Sequence, residues 1–149
     1  MNSTKSVLVN AEELRDAFEW VSAAAPFENG AYIRKDDGRI YWTSDVNDVF
    51  EEPPEDVEDP ELYISVPHKN DLNLGRKLAL MFMEQELPDD FYDVAEFFRH
   101  KGAYARFKGL LEQRDMLERW YEFEENMTKW ALQEWCEANS IQLIDPSGL

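Results

Sequence analysis

The sequence predicts an α+β domain, mostly helical: an N-terminal helix, a small antiparallel sheet built around an Asp-Gly hairpin, and a C-terminal helical bundle. Three observations carry this. Asn10-Ala11-Glu12-Glu13 reads as a capping box, with Asn10 as N-cap and Glu13 three residues on, ahead of apolar residues at helical spacing. Two β-prone runs, 31–35 and 39–43, flank Asp36-Asp37-Gly38, and an Asp-Gly pair between such runs is a strong hairpin signal. From Asp71 to Asn139 the apolar residues recur at helical intervals. The 149 residues are the length of one domain, 1–149, and a globule of that size buries roughly 70% of the surface its unfolded chain exposes.

In the first helix Leu14, Ala17, Phe18 and Val21 form the stripe to be buried, and Pro26 requires the helix to stop before it. Tyr32, Ile33, Ile40, Tyr41 and Trp42 give the hairpin strands their β-prone side chains, and a third strand is expected over 62–66. Leu74, Leu78, Met81 and Phe82 line one face of the next helix. Pro88-Asp89-Asp90 reads as the start of a helix over 91–100, and Gly102 interrupts before Ala103, Phe107, Leu110 and Leu111 line another. The last helix, 117–138, is the densest. At about 100° per residue it places Trp120, Phe123, Met127, Trp130, Ala131, Trp135 and Ala138 on one broad arc, the expected spine of the core. Residues 141–144 are a candidate closing strand.

Residues 44–61 change character, with nine acids, no base and prolines at 53, 54 and 60. Like-charge runs broken by proline are expected to be solvated loops that add little stability. A calcium loop is not supported, because no glycine stands at the sixth position counted from Asp45 and the acids are wrongly spaced. The remaining reading of this segment as a site is a docking strip for a basic partner.

Fifteen Lys and Arg stand against 32 Asp and Glu, a formal net charge of −17 that argues against non-specific binding to nucleic acid or anionic membranes. The single cysteine, Cys136, rules out an intramolecular disulfide and a four-thiolate zinc site, as befits a reducing compartment, and it falls opposite the apolar arc of the last helix. Residues 1–14 hold no apolar core of signal-peptide length, and no run approaches the roughly 20 apolar residues of a membrane span, so a cytoplasmic location is expected. His68 and His100 lie in different elements without the spacing of a metal pair. The chain has no glycine-rich phosphate loop, no Gly-x-Ser-x-Gly and no dinucleotide fingerprint, so neither metal nor cofactor nor catalytic set is assigned, which argues against an enzyme.

Against the acidic background, residues 99–108 reverse the sign: Arg99, Lys101, Arg106 and Lys108 occur without an acid, interleaved with Tyr104 and Phe107. These cations either rim a buried stripe and pair with surplus acids or form an anion site, since Gly102 before a helix leaves free N–H groups beside Lys101 and Arg106. Glu124 and Glu134 fall inside the apolar arc of the last helix and are candidate buried carboxylates. A buried charge requires a partner, here Arg106, Arg114 or a backbone donor. Ten residues apart, they are separated by about 15 Å along a helix, too far to act on one bond.

The order of Gly102-Ala103-Tyr104-Ala105-Arg106-Phe107-Lys108, then Trp120-Tyr121-Glu122-Phe123, then Glu134-Trp135 resembles the bacterial uncharacterised protein family numbered 0158 in the UPF series. The resemblance covers residues 62–141 well and the first sixty loosely. It implies a bacterial or phage origin, a small cytosolic domain, and proximity in space of Gly102, Arg106, Phe107, Lys108, Trp120 and Tyr121; it implies no activity. The acid-rich 44–61 segment departs from what the family suggests, so a docking role there would belong to this chain. The leading functional expectation is a non-enzymatic interaction or regulatory protein whose acidic surface meets a basic protein, for example an inhibitor, an immunity protein or a nucleic-acid mimic. The alternative is a domain that binds a small anionic ligand or a nucleic-acid end through residues 99–108, and an enzyme using Glu124 or Glu134 comes third. Oligomeric state is not encoded in any motif of the chain.

Overall fold

The computed structural model describes residues 6–46, 49 and 51–145. It is an α+β fold in which strands β1 (Val7–Asn10), β2 (Asn29–Arg34), β3 (Ile40–Ser44), β4 (Tyr63–Ser65) and β5 (Ile141–Ile144) accompany helices α1 (Ala11–Ser22), α2 (Arg76–Glu86), α3 (Phe91–Phe97), α4 (Ala103–Gln113) and α5 (Leu117–Ala138). Packing divides the chain into two compact units, Met1–Leu72 with Leu132–Leu149, and Asn73–Ala131, a subdivision that length and composition did not indicate.

In the first unit Asn10 caps α1 as read: Glu13 N–H donates to Asn10 Oδ1 at 3.0 Å, and Leu14, Ala17, Phe18 and Val21 are buried. The hairpin pairs β2 with β3 from Asn29↔Ser44 to Ile33↔Ile40, and β4 joins the other side of β2, so the sheet order is β3-β2-β4, antiparallel throughout. Trp20 ties α1 to the hairpin. Its indole Nε1–H is shared between Gly30 O and Thr43 O, each at 3.1 Å, and its ring stacks on Trp42 with centroids 5.0 Å apart. The 3-10 turn Lys69–Leu72 is fastened to the end of α1 by Lys69 N–H on Ser22 Oγ at 3.0 Å and by His68 Nε2 against Ala24 O at 2.9 Å.

One strand was not anticipated. β1 precedes the helix cap and pairs in parallel with β5, in register from Val7↔Ile141 to Asn10↔Ile144. The candidate strand at 141–144 therefore exists, but in a separate two-stranded parallel sheet. Val7 and Val9 are buried and Leu8 is exposed, the alternation of a half-covered strand.

The acidic segment is more anchored than its composition suggested; its residues 47, 48 and 50 lie outside the described residues. Val57 is buried, packed with Tyr41 and Tyr63. Backbone turns from Val57 N–H to Pro54 O at 3.1 Å and from Asp59 N–H to Asp56 O at 2.9 Å hold the chain about it, and Tyr63 OH donates to Asp56 Oδ1 at 3.3 Å. The expectation of a purely solvated loop is corrected here: one valine among the acids finds an apolar socket on the sheet. Val57→Ala is expected to lower stability by about 1 to 2 kcal/mol, the value of two buried methyl groups, read as a shift of the urea midpoint. No shift would return the segment to the status of a solvated loop.

The second unit centres on aromatic packing. Trp120 meets Phe107 and Phe82 edge-on, with centroids at 5.0 and 5.4 Å, and Phe123 packs at 5.3 Å from Phe82. Pro88–Asp90 forms a 3-10 turn that leads into α3, and Asp90 receives Arg114 in a two-point pair, Nε on Oδ2 at 2.9 Å and Nη2 on Oδ1 at 3.0 Å. That pairing holds the Asp90 carboxyl below its ordinary range. On α2 the buried side chains are Leu78, Ala79, Phe82 and Met83, whereas Met81, expected on the inner face, is exposed.

The arc read for α5 is correct only in part. Trp120 and Ala131 are buried, Phe123, Met127 and Trp135 are half-buried, and Trp130 and Ala138 are exposed, Trp130 at 61%. Thr128, Leu132 and Cys136 are buried instead. Spaced four apart, they follow a row displaced from Trp120 by roughly 80 to 160° around the helix. One wheel presumes one apolar environment along the whole length, while α5 gives Leu117–Ala131 to one unit and Leu132–Ala138 to the other.

Candidate functional site

The basic stretch spans the end of α3, a turn, and the first half of α4. Gly102 stands at the N-cap of α4 with φ of 77°, flanked by exposed Lys101, and among the described residues no side chain caps the helix. The four cations have different surroundings. Arg99 lies 3.8 Å from Glu96, which His100 also approaches at 3.3 Å. Lys108 Nζ sits over the Tyr121 ring at 5.6 Å from its centroid. Arg106 is exposed, and among the described residues neither it nor Lys101 has an ion pair. Two residues apart on one helix, Arg106 and Lys108 point to opposite flanks of buried Phe107.

Of the aromatic members of the motif, Tyr104, Phe107 and Trp120 are joined by ring contacts, and Tyr121 is exposed. Phe107 touches Trp120, and Phe98 links Phe107 to Tyr104 at centroid distances of 6.0 and 5.0 Å. Burial raises the Tyr104 phenol above its usual range, and the nearby Glu124 carboxylate adds to the rise. Glu124 is half-buried, and its charge is near enough to act on the Tyr104 phenol. Glu134 is exposed, which corrects its reading as a buried carboxylate and leaves no carboxylate pair on α5. It stands on the outer side because the buried row at that end of α5 runs through Leu132 and Cys136.

Arg106→Ala is therefore expected to change stability by no more than about 0.5 kcal/mol, the range of exposed, unpaired surface positions. A thermal melt showing a loss of several kcal/mol would mean that Arg106 neutralises a buried carboxylate after all.

His68 is held as a structural residue. His68 is buried with both ring nitrogens engaged: Asn70 N–H donates to Nδ1 at 3.0 Å, which leaves Nε2–H to donate to Ala24 O. Among the described residues no group of three or more His, Cys, Asp or Glu side chains gathers as a metal site. Burial pushes the Cys136 thiol up to about 11, so it is a protonated core residue and not a nucleophile at neutral pH. No described helix is long and apolar enough to cross a membrane.

Carboxylates dominate the surface of the first unit. Glu52, Glu55, Glu58 and Glu61 are exposed on the segment that Val57 anchors, and among the described residues none of them has an ion pair. Arg39 closes one end of the segment, with Nη2 on both oxygens of Glu51 and its guanidinium carbon 4.9 Å from the Tyr41 ring centroid. Alongside lies an open groove of about 240 Å³ lined by Ile40, Tyr41, Trp42, Val49 and Glu51. Sequence reasoning missed this arrangement. The available signal was Val57, a lone apolar residue spaced by Pro54 and Pro60 in a run otherwise built for water.

Comparison with family models, with curated proteins and with solved structures finds no match to this chain.

Proposed function

We propose that this chain is a non-enzymatic interaction module whose acidic surface engages a basic protein partner, in the manner of an inhibitor, immunity protein or nucleic-acid mimic. One observation carries the reading. Glu52, Glu55, Glu58 and Glu61 are exposed, without an ion pair among the described residues, on a segment held to the sheet through Val57, and the acids surplus to the chain's cations give a net charge of −17. Carboxylates held at set positions lose less freedom on binding than those of a free loop, and a field of one sign speeds encounter with a cationic surface. A small-anion role for residues 99–108 is less favoured, because Arg99 is turned toward Glu96 and Arg106 and Lys108 occupy opposite flanks of α4.

The test is affinity capture from a bacterial lysate with the immobilised chain, followed by a salt series. Captured proteins are expected to be basic, held at about 50 mM salt and released by about 500 mM, where exposed charges are screened within a few ångström. A variant carrying Glu→Gln at positions 52, 55, 58 and 61 should keep the wild-type melting temperature and lose capture. Retention by that variant, or capture indifferent to salt, would sink the reading.

A further inference from the structure

In the β2–β3 ladder, Arg34 N–H donates to Arg39 O at 2.8 Å and Asp45 N–H donates to Glu28 O at 2.9 Å. Backbone groups alternate in direction along an antiparallel strand, so residues 39, 41, 43 and 45 turn theirs toward β2, and Ile40 and Trp42 turn theirs away. β3 is the edge of its sheet, and among the described residues no hydrogen bond satisfies Ile40 or Trp42 on that outer side. The strand reads Ile-Tyr-Trp-Thr-Ser, with no lysine and no proline, and its register with β2 runs unbroken over five pairs. Lysine, proline and a bulge, three common guards of a free edge, are missing from the strand.

Other edges differ. β4 has three residues and is followed closely by Pro67. Val7 N–H bonds to Ser140 O, so Leu8 points its carbonyl away from β5, and Gly38 at the hairpin tip presses so close to that oxygen that a Cβ there would overlap it. Among the described residues the β3 edge adjoins the groove of Ile40, Tyr41, Trp42, Val49 and Glu51, and the exposed Glu52 and Glu55 follow Glu51 along the chain.

From this juxtaposition we infer that the free edge of β3 takes up an extended basic peptide as a fourth strand. The peptide's main chain bonds Ile40 and Trp42, an aliphatic side chain fills the groove, and its Lys or Arg side chains meet Glu52 and Glu55. Strand addition of this kind draws affinity from main-chain hydrogen bonds and specificity from alternate side chains. Charge decides the occupant. A second copy of a chain carrying −17 would be repelled from an edge set among carboxylates, whereas a cationic strand is drawn in. The inference rests on the proposed function and gives it a surface and a partner class.

The probe is an eight-residue peptide of alternating Lys with Val or Thr, capped at both ends, titrated into the full chain at low salt with amide exchange followed by NMR. The Ile40 and Trp42 amides are expected to slow by about tenfold or more on binding, as each acquires an acceptor. A peptide of equal charge with proline at every Val and Thr is expected to bind at least about tenfold more weakly, since it cannot form a ladder. Equal binding of the two peptides without protection at Ile40 and Trp42 overturns the strand inference and leaves the acidic-surface reading standing. Protection confined to Ile141 and Leu143 on β5 also overturns it. If neither peptide binds, the strand inference fails, and if poly-lysine fails as well, the acidic-surface reading falls with it.

Discussion

Replacing Trp120 with alanine is expected to cost about 3 to 5 kcal/mol, the range for deleting a large aromatic side chain from a packed interior. Trp120 is 1% exposed and in contact with Phe82, Phe107 and Phe123, so the vacated volume opens against three rings carried by α2, α4 and α5 itself. With a total stability of about 5 to 15 kcal/mol typical of such domains, the variant should melt many degrees lower or fail to fold at growth temperature. The indole adds a finer test. Its Nε1–H has no hydrogen-bond partner among the described residues, and its ring packs among other aromatic rings. Trp120→Phe removes that unsatisfied donor while keeping most of the apolar contact, so its loss should be about 1 to 2 kcal/mol, well below that of alanine. Equal losses in the two variants would show that the indole nitrogen is bonded in solution.

The second large effect is expected at Gly38. Both Gly38 and Gly102 have φ of 77°, a conformation that costs an L-residue roughly 1 to 2 kcal/mol. Their surroundings differ completely. A Cβ on Gly102 would meet nothing within 4 Å, but on Gly38 it would be driven into the carbonyl oxygen of Leu8 and approach Val7. Backbone cannot step aside as a flexible side chain can, because Val7 and Val9 are held in register with β5. Gly102→Ala should therefore show only the conformational cost of about 1 to 2 kcal/mol, and Gly38→Ala should lose about 3 kcal/mol or more. Urea unfolding of the pair isolates the close approach from the dihedral. Equal losses would place the hairpin tip away from β1.

Which features were legible follows from the range of the interaction responsible. The Asn10 cap, the stop of α1 before Pro26, the Asp-Gly turn and the Pro88 helix start each depend on groups within about four residues of one another, so spacing alone reveals them. The β1–β5 pair joins residues 7–10 to residues 141–144, and nothing in either tetrapeptide names the other. Val-Leu-Val before the cap carried the alternation of a strand, but without a partner it could not be told from a lead-in to α1. For the candidate site, charge was legible and geometry was not. The sign reversal at residues 99–108 is plain in the sequence, yet whether four cations converge depends on the side of α4 from which each projects and on the position of Glu96.

The sequence by itself determined the α+β class, the bounds of α5, the capping of α1, the hairpin and the acidic character of the surface, because these follow from local backbone preference, side-chain period and a count of charges. Only the tertiary structure decided that Val57 is a socketed anchor, that Trp130 is exposed while Cys136 is buried, and that β3 is an edge of its sheet, where Ile40 and Trp42 have no partner strand among the described residues. The reason is the same in each case. Burial and pairing belong to a residue's neighbours in space, and a period read along one helix or strand states which residues share a side without stating what that side will meet.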